Sequence, residues 1–334
     1  LERDAVVRHV TSFQLPVSAV KTIDCEILWR PDRAELRFLP EGPYPCGSGK
    51  FSWVAIQHGA DQRIGSLNVF DVRTGANKTY NAPGRPGFAF ATNQNDAFVM
   101  GVERTLGVFD AENGEWSVFA TNVDRQVTGT IINDGLVFDD GLIFGCKDLK
   151  FQEKKAGLYL WRKSKRSLTR LRDDQICSNG KALLTLDGQL TLLDIDSPTK
   201  TVVAYPIDLN KPSLGTPRTV VDLRDGDGVP DGMILTPDEK SVIIALYNPA
   251  DAPYGEAVQY SLASGQREAV WRTADSPQVT CPQLIEHEGR IRLVLTTAVE
   301  NMPAERQAKY PNAGCLFIAD TEFDRLPAQP IYEL

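Results

Sequence analysis

Histidine and cysteine are scarce in this chain, with three and six residues among 334. His9, His58 and His287 stand too far apart for ligand-type spacing, which argues against an imidazole metal site and against a His-activated triad. Cys25, Cys46, Cys146, Cys177, Cys281 and Cys315 form no CxxC pair and are too sparse for a disulfide scaffold. Packed thiols in a reducing compartment are expected. Cys146 and Cys177 have no activating His nearby in sequence, so they read as packing residues rather than nucleophiles. No apolar run reaches the ~18 residues of a spanning helix.

An excess of positive charge is also missing. Lys and Arg number 36 against 44 Asp and Glu, a formal net charge of -8. A phosphate backbone or an anionic bilayer is met by clustered Lys and Arg, so neither nucleic acid nor membrane is an expected partner. The one dense basic stretch, Arg162-Lys163-Ser164-Lys165-Arg166, stands between two apolar runs and reads as a solvated hairpin tip. Leu1-Glu2-Arg3-Asp4 lack the basic-then-apolar order of a signal peptide. A cytoplasmic location is therefore expected, although the chain does not begin with Met.

Helical periodicity is nearly absent, and a repeat takes its place. An apolar run is followed by a short turn, an alternating run that ends in or near an aromatic, and a tip containing Gly or Asp. The first runs are 51–56, 97–100, 141–144, 190–193, 241–246 and 291–295, and the second are 66–70, 106–109, 157–161, 201–205, 257–260 and 315–318. Period-two alternation marks strands with one buried face, and tips such as Arg73-Thr74-Gly75, Glu112-Asn113-Gly114 and Ala263-Ser264-Gly265 mark hairpins. The spacing of the units lies near the ~40–50 residues of a four-stranded propeller blade. Six units predict an all-β fold, a six-bladed β-propeller, forming one domain over residues 1–334. Two β-sandwiches are the alternative, and no Pro-rich or charged linker favours them. Residues 1–40 carry three further runs, 17–23, 25–29 and 34–38, one of which is expected to supply the outermost strand of the last blade.

Four stretches place an oxygen-bearing side chain beside a glycine at the opening of a strand run: Glu41-Gly42-Pro43, Asn133-Asp134-Gly135, Ser178-Asn179-Gly180 and Pro230-Asp231-Gly232-Met233. One such pair alone is a turn. Four on four blades predict a single axial metal site, with the glycines turning the backbone at the strand starts. Hard oxygen donors suit Ca²⁺, Mg²⁺ or Mn²⁺, and Zn²⁺ also accepts oxygen.

In these residues the chain resembles the senescence marker protein, gluconolactonase and luciferin-regenerating enzyme family (regucalcin-like), over roughly residues 41–323. The likeness rests on Phe38-Leu39-Pro40-Glu41-Gly42-Pro43, Asn133-Asp134-Gly135, Ile176-Cys177-Ser178-Asn179-Gly180, Gly228-Val229-Pro230-Asp231-Gly232-Met233 and the segment 311–317, in that order. The resemblance implies that Glu41, Asn179 and Asp231 coordinate one divalent ion, calcium first, with zinc, manganese or magnesium as alternatives. It places Asn133 against substrate or a metal-bound water, and makes Asp231 catalytic, helping to deprotonate the water that opens a lactone. A small-molecule lactone or ester is then the partner, and the chain a monomer or weak homo-oligomer.

One position departs from the pattern. Where the family's sugar-lactone hydrolases often carry Arg two residues before the Asn, this chain has Ile131. A more apolar lactone or another ester becomes the expectation. Non-catalytic metal binding, organophosphate hydrolysis by analogy of fold, and a protein-binding scaffold stand as alternatives. The polar segments 147–155 and 300–310 are expected to roof the site and carry specificity. Asp225 and Asp227 are expected in a solvated turn, the place for any second ion.

Overall fold

The structure, a computed structural model, describes residues 20–334. His9, Leu1-Glu2-Arg3-Asp4 and the first residues of the run 17–23 lie outside the described residues. Six sheets stand around an axis, each built on an antiparallel meander in which chain neighbours are sheet neighbours, with N-terminal strands added to two of them. Their inner strands are Pro40–Pro45, Pro86–Ala91, Thr130–Phe138, Ser178–Leu186, Val229–Leu235 and Val279–His287, of blades 1 to 6 in turn. The six-bladed propeller expected from the repeat is thus the architecture of the chain.

The second strand of each blade is covered on both faces by neighbouring blades, which explains its unbroken apolar runs. Leu142, Ile143 and Phe144 have no exposed surface, nor do Val242, Ile243, Ile244 and Ala245. The core lies between blades. Phe51, Trp53 and Phe70 of blade 1 pack on Ile285, Val294 and Leu316 of blade 6, and Leu193 and Val202 of blade 4 pack on Val242 and Val258 of blade 5. Outer strands such as Ala76–Asn81 keep the half-exposed pattern of a solvated edge.

The N-terminal runs take three different forms. Glu26–Trp29 pairs antiparallel with Leu316–Asp320 and completes blade 6. Lys21–Asp24 adds a parallel fifth strand to Arg267–Ala274 of blade 5. The run 34–38, read as a strand from its alternation, is instead the helical turn Glu35–Phe38. Five residues are too few to separate the two periods, and the turn is held by burial of Leu36 and by Arg37, whose guanidinium donates to the carbonyls of Pro311 and Ala313.

The inner strands share one irregularity. Pairing with the second strand slips once in every blade, between Glu41 and Tyr44, Pro86 and Phe88, Ile132 and Gly135, Asn179 and Lys181, Pro230 and Met233, and Val279 and Cys281. A bulge releases a residue from the ladder and re-aims its side chain. Six at one level form a collar around the axis. Adjacent inner strands approach closely there: a Cβ on Gly87 would lie 2.1 Å from the Asn133 carbonyl oxygen, and one on Gly232 2.5 Å from Cys281 Sγ. The ring closes where Thr280 Oγ1 donates to the Pro40 carbonyl at 2.6 Å.

This corrects the role expected of the motif glycines. Of Gly42, Gly135, Gly180 and Gly232 only Gly42 has a positive φ, of 55°. The others are required by the close approach of neighbouring strands rather than by a sharp turn.

Candidate metal and substrate site

The collar sets four oxygen-bearing side chains on four blades. Asn133 Nδ2 donates to Asn179 Oδ1 at 2.8 Å and to the Ser178 carbonyl at 3.0 Å, so blades 3 and 4 are tied directly. Asn179 Nδ2 in turn donates to Ser197 Oγ at 2.8 Å. These bonds use the Asn133 N–H groups, and among the described residues no protein donor engages Asn133 Oδ1.

Glu41 and Asp231 supply the charge. Asp231 is buried, and its Oδ1 has no hydrogen-bond partner. Burial pushes the Asp231 carboxyl well above the usual carboxylate range, the charges of Asp134 and Glu300 push it further, and Lys147 opposes them. Glu41 is raised for the same leading reason, burial, followed by the charge of Asp231 itself. Two neighbouring carboxylates short of donors are costly as bare anions.

That orphaned oxygen bears on whether a cation fits. An acceptor without a donor, beside a second carboxylate and amide oxygens, matches what a hard divalent ion requires. Asn179 Oδ1 accepts one hydrogen bond and keeps a second lone pair. Among the described residues no three His, Cys, Asp or Glu are grouped to hold a metal, so a cation held here would need the Asn179 amide as a third ligand.

Some neighbours were not legible as site residues. Lys147 and Glu300, expected only as the ends of roofing segments, bring their charges to bear on both carboxylates. Lys147 is still within the strand Gly141–Asp148. Ile131, where the sequence departs from the family's arginine, is buried in one cluster with Leu39 and Ala298, and Tyr247 packs against it. Cys177 Sγ lies 3.7 Å from Asn133 Nδ2 and 3.5 Å from Asn179 Nδ2. Burial raises its thiol well above the ordinary value, which keeps it protonated and unreactive. Asp134, although next to Asn133, lines the cavity on the other side of the collar. Asp225 and Asp227 are exposed while Asp231 is buried.

The segment after Lys147 is fixed by one carboxylate. Asp148, fully buried, accepts from the backbone N–H groups of Gln152 and Glu153, both at 3.0 Å, and from the Lys155 ammonium at 3.2 Å. In the segment 300–310 a short helix, Ala304–Lys309, is pinned by the ion pair of Arg306 with Asp251.

Comparison with known proteins shows the family and agrees with the fold. The family model described as the SMP-30/Gluconolactonase/LRE-like region matches residues 39–299. Regucalcin of Danio rerio is 28% identical over 231 residues, 65% of this chain and 74% of that protein. A Bacillus subtilis (strain 168) protein provisionally named sugar lactone lactonase YvrE is 28% identical over 180 residues, 53% of this chain. The match spans 57% of that relative's length. In fold the chain is similar to the calcium-binding protein regucalcin from Agrobacterium tumefaciens str. C58, with TM-score 0.78 and 21% identity over 95% of this chain and 100% of that one. It is likewise similar to a luciferin-regenerating enzyme, with TM-score 0.75 and 16% identity over 89% and 96%. With the six blades and the matched region in agreement, the chain belongs to the SMP-30/gluconolactonase/LRE-like family.

Proposed function

We propose that this protein is a divalent-metal-dependent hydrolase that opens a lactone, or a closely related ester, at the bulge collar. The observation that carries the reading is the buried, unpartnered Oδ1 of Asp231 beside Glu41 and the Asn133–Asn179 pair. Membership of a family that includes gluconolactonases supports the reaction class. Glu41, Asn179 and Asp231 would hold the cation, calcium before zinc, manganese or magnesium, and its chemistry there is Lewis acidity toward a carbonyl oxygen.

The chain's own residues do the rest. Asp231 takes the proton of the attacking water as the water oxygen bonds to the carbonyl carbon. The ring C–O bond then breaks, and the departing alkoxide takes up a proton to leave a hydroxy acid. Asn133, its N–H groups held by Asn179 and Ser178, presents Oδ1 to a substrate hydroxyl or to the water. Its fixed orientation lowers the entropic cost of positioning. Ile131, buried with Leu39 and Ala298, offers no hydrogen-bonding group where the family's arginine would stand, which favours a substrate with little polarity there.

Holding a cation without turnover is the second reading, favoured by the same Asp231 oxygen. The two are separated by hydrolysis of aldonic and aliphatic lactones by metal-stripped protein, with each divalent ion restored in turn. Turnover that returns with metal supports the hydrolase; metal binding with no turnover on any lactone or ester removes it.

A further inference from the structure

We propose that Lys147 is the substrate-binding cation of this site, taking the carboxylate of the opened ring in place of the guanidinium absent at Ile131. The inference rests on the hydrolase reading and names the group that selects its substrate.

Backbone register carries the argument. In the antiparallel pair of Thr130–Phe138 with Gly141–Asp148, Ile131 and Lys147 are direct partners. Directly opposed residues project from the same face of a sheet, their Cβ atoms about 5 Å apart. A cation lost at position 131 is thus replaced from the adjoining strand, on the face that the arginine would occupy. Lys147 is anchored on its other side as well, by a backbone bridge to Cys177. Cys177 Sγ contacts the amide nitrogens of both Asn133 and Asn179, so the base of the Lys147 side chain stands one pairing away from the collar.

The ammonium is also free. Among the described residues no hydrogen bond or ion pair engages Lys147 Nζ, although the side chain is half-buried. Neighbouring lysines are committed elsewhere. Lys155 pairs with Asp148 at 3.2 Å, and Lys181 donates to the Asn179 carbonyl at 2.6 Å and pairs with Asp194 at 3.4 Å. Lys147 alone acts as a positive charge on both Glu41 and Asp231, while Glu300 adds a negative one.

The exchange of residue type has a chemical consequence. An arginine fork serves two oxygens in one plane, whereas an ammonium is a compact point charge that takes one carboxylate or carbonyl oxygen. With a point charge in place of a planar fork, the site fits a lactone with few ring hydroxyls near its carbonyl. Aldonic lactones, which offer a row of hydroxyls, fit it less well.

The test compares wild type, Lys147→Met and Lys147→Arg in the calcium-loaded protein. The readouts are KM and kcat for γ-butyrolactone and gluconolactone, and calorimetric binding of 4-hydroxybutanoate. The methionine variant should weaken 4-hydroxybutanoate binding at least 10-fold and raise KM for γ-butyrolactone by a similar factor. Arginine should restore most of the binding and shift preference toward gluconolactone. Calcium should bind Lys147→Met as tightly as wild type or several-fold tighter, because a like charge has gone. Turnover by wild type with 4-hydroxybutanoate binding unchanged in Lys147→Met overturns the role of Lys147 and leaves the hydrolase standing. Absence of turnover in wild type, with carboxylate binding lost only in Lys147→Met, removes the hydrolase and keeps the cation. Absence of carboxylate binding by wild type overturns the proposal outright.

Discussion

The two ends of the six inner strands differ in almost everything but the strands that build them. At the collar the inner strands present Glu41, Asn133, Asn179 and Asp231. A few residues further along they enclose a cavity of about 470 Å³ lined by Tyr44, Phe88, Phe90, Leu136, Leu183 and Ile234. Phe88 and Phe90 stack at 4.9 Å, and Tyr44 meets Phe90 edge-on at 4.8 Å. The bulge is the dividing line. Before it a residue is freed from the ladder and aimed at the axis; after it the regular alternation resumes, and the strands converge by packing. Asp134 marks the boundary, one residue past Asn133 and already on the cavity side with its Oδ1 accepting from the Gly135 N–H at 2.7 Å. Polar collar and apolar packing are thus separated within single strands.

The largest expected effect is at the collar. Asp231→Asn should lower lactone turnover by roughly 1,000-fold or more, because in the proposed mechanism Asp231 is both the base and one of the charges that would hold the cation. In a chelator the same variant should melt at a higher temperature than wild type, since a buried carboxylate without a donor has been made neutral. Thermal melts with and without calcium test this pairing, and equal melting in chelator would mean that Asp231 bears no strain. At the cavity end Phe88→Ala should do the reverse. Phe88 is fully buried, and its loss should cost about 3–5 kcal/mol in denaturant unfolding. Calcium affinity should stay within about twofold, and a larger fall would show that the two ends are coupled through Gly135, which packs on the Phe88 ring.

A smaller effect concerns the segment after Lys147. Burial works to raise the Asp148 carboxyl, but the N–H groups of Gln152, Glu153 and Lys150 and the Lys155 ammonium outweigh it and hold it at about 2. A carboxyl depressed below its unfolded value of about 4 stabilises the fold above that pH. The contribution is lost as pH falls from about 4 through about 2. Wild type should therefore lose about 1 kcal/mol more than Asp148→Asn over that window, read as amide exchange at Gln152 and Glu153. Equal losses would mean that the segment is held by something other than this carboxylate.

The blades were legible because propeller strands are covered on both faces or one, which writes continuous or alternating apolar runs into the sequence. The four oxygen-bearing side chains at the inner-strand bulges were legible through the glycines beside them, although the reason those glycines are needed was misread. A turn and a close approach demand the same residue, and only the register slips distinguish them. Lys147 was hidden differently. It is an ordinary lysine at the end of a strand, and only its pairing with Ile131 gives it meaning. The helical turn at Glu35–Phe38 was lost because its pattern is shorter than the periods being compared.

The smallest effect tests how the apolar end is closed. The segment 327–330 lies against the cavity mouth, and Tyr44 OH donates to the Pro330 carbonyl at 2.6 Å. Beyond it Tyr332 runs beside Thr92, and its hydroxyl accepts from Trp161 Nε1 at 3.1 Å. The chain therefore crosses from blade 6 to blades 2 and 3 and straps the ring on the side away from the collar. Tyr44→Phe keeps the aromatic contact with Phe90 and removes one hydrogen bond, so it should cost about 0.5–1.5 kcal/mol. Because Tyr44 stands just beyond Glu41 on the same inner strand, calcium affinity is the sharper measurement. If the bulge insulates the two ends, affinity is unchanged although the strap has loosened; if affinity falls with stability, the inner strand moves as one body and the division at the collar is only geometric.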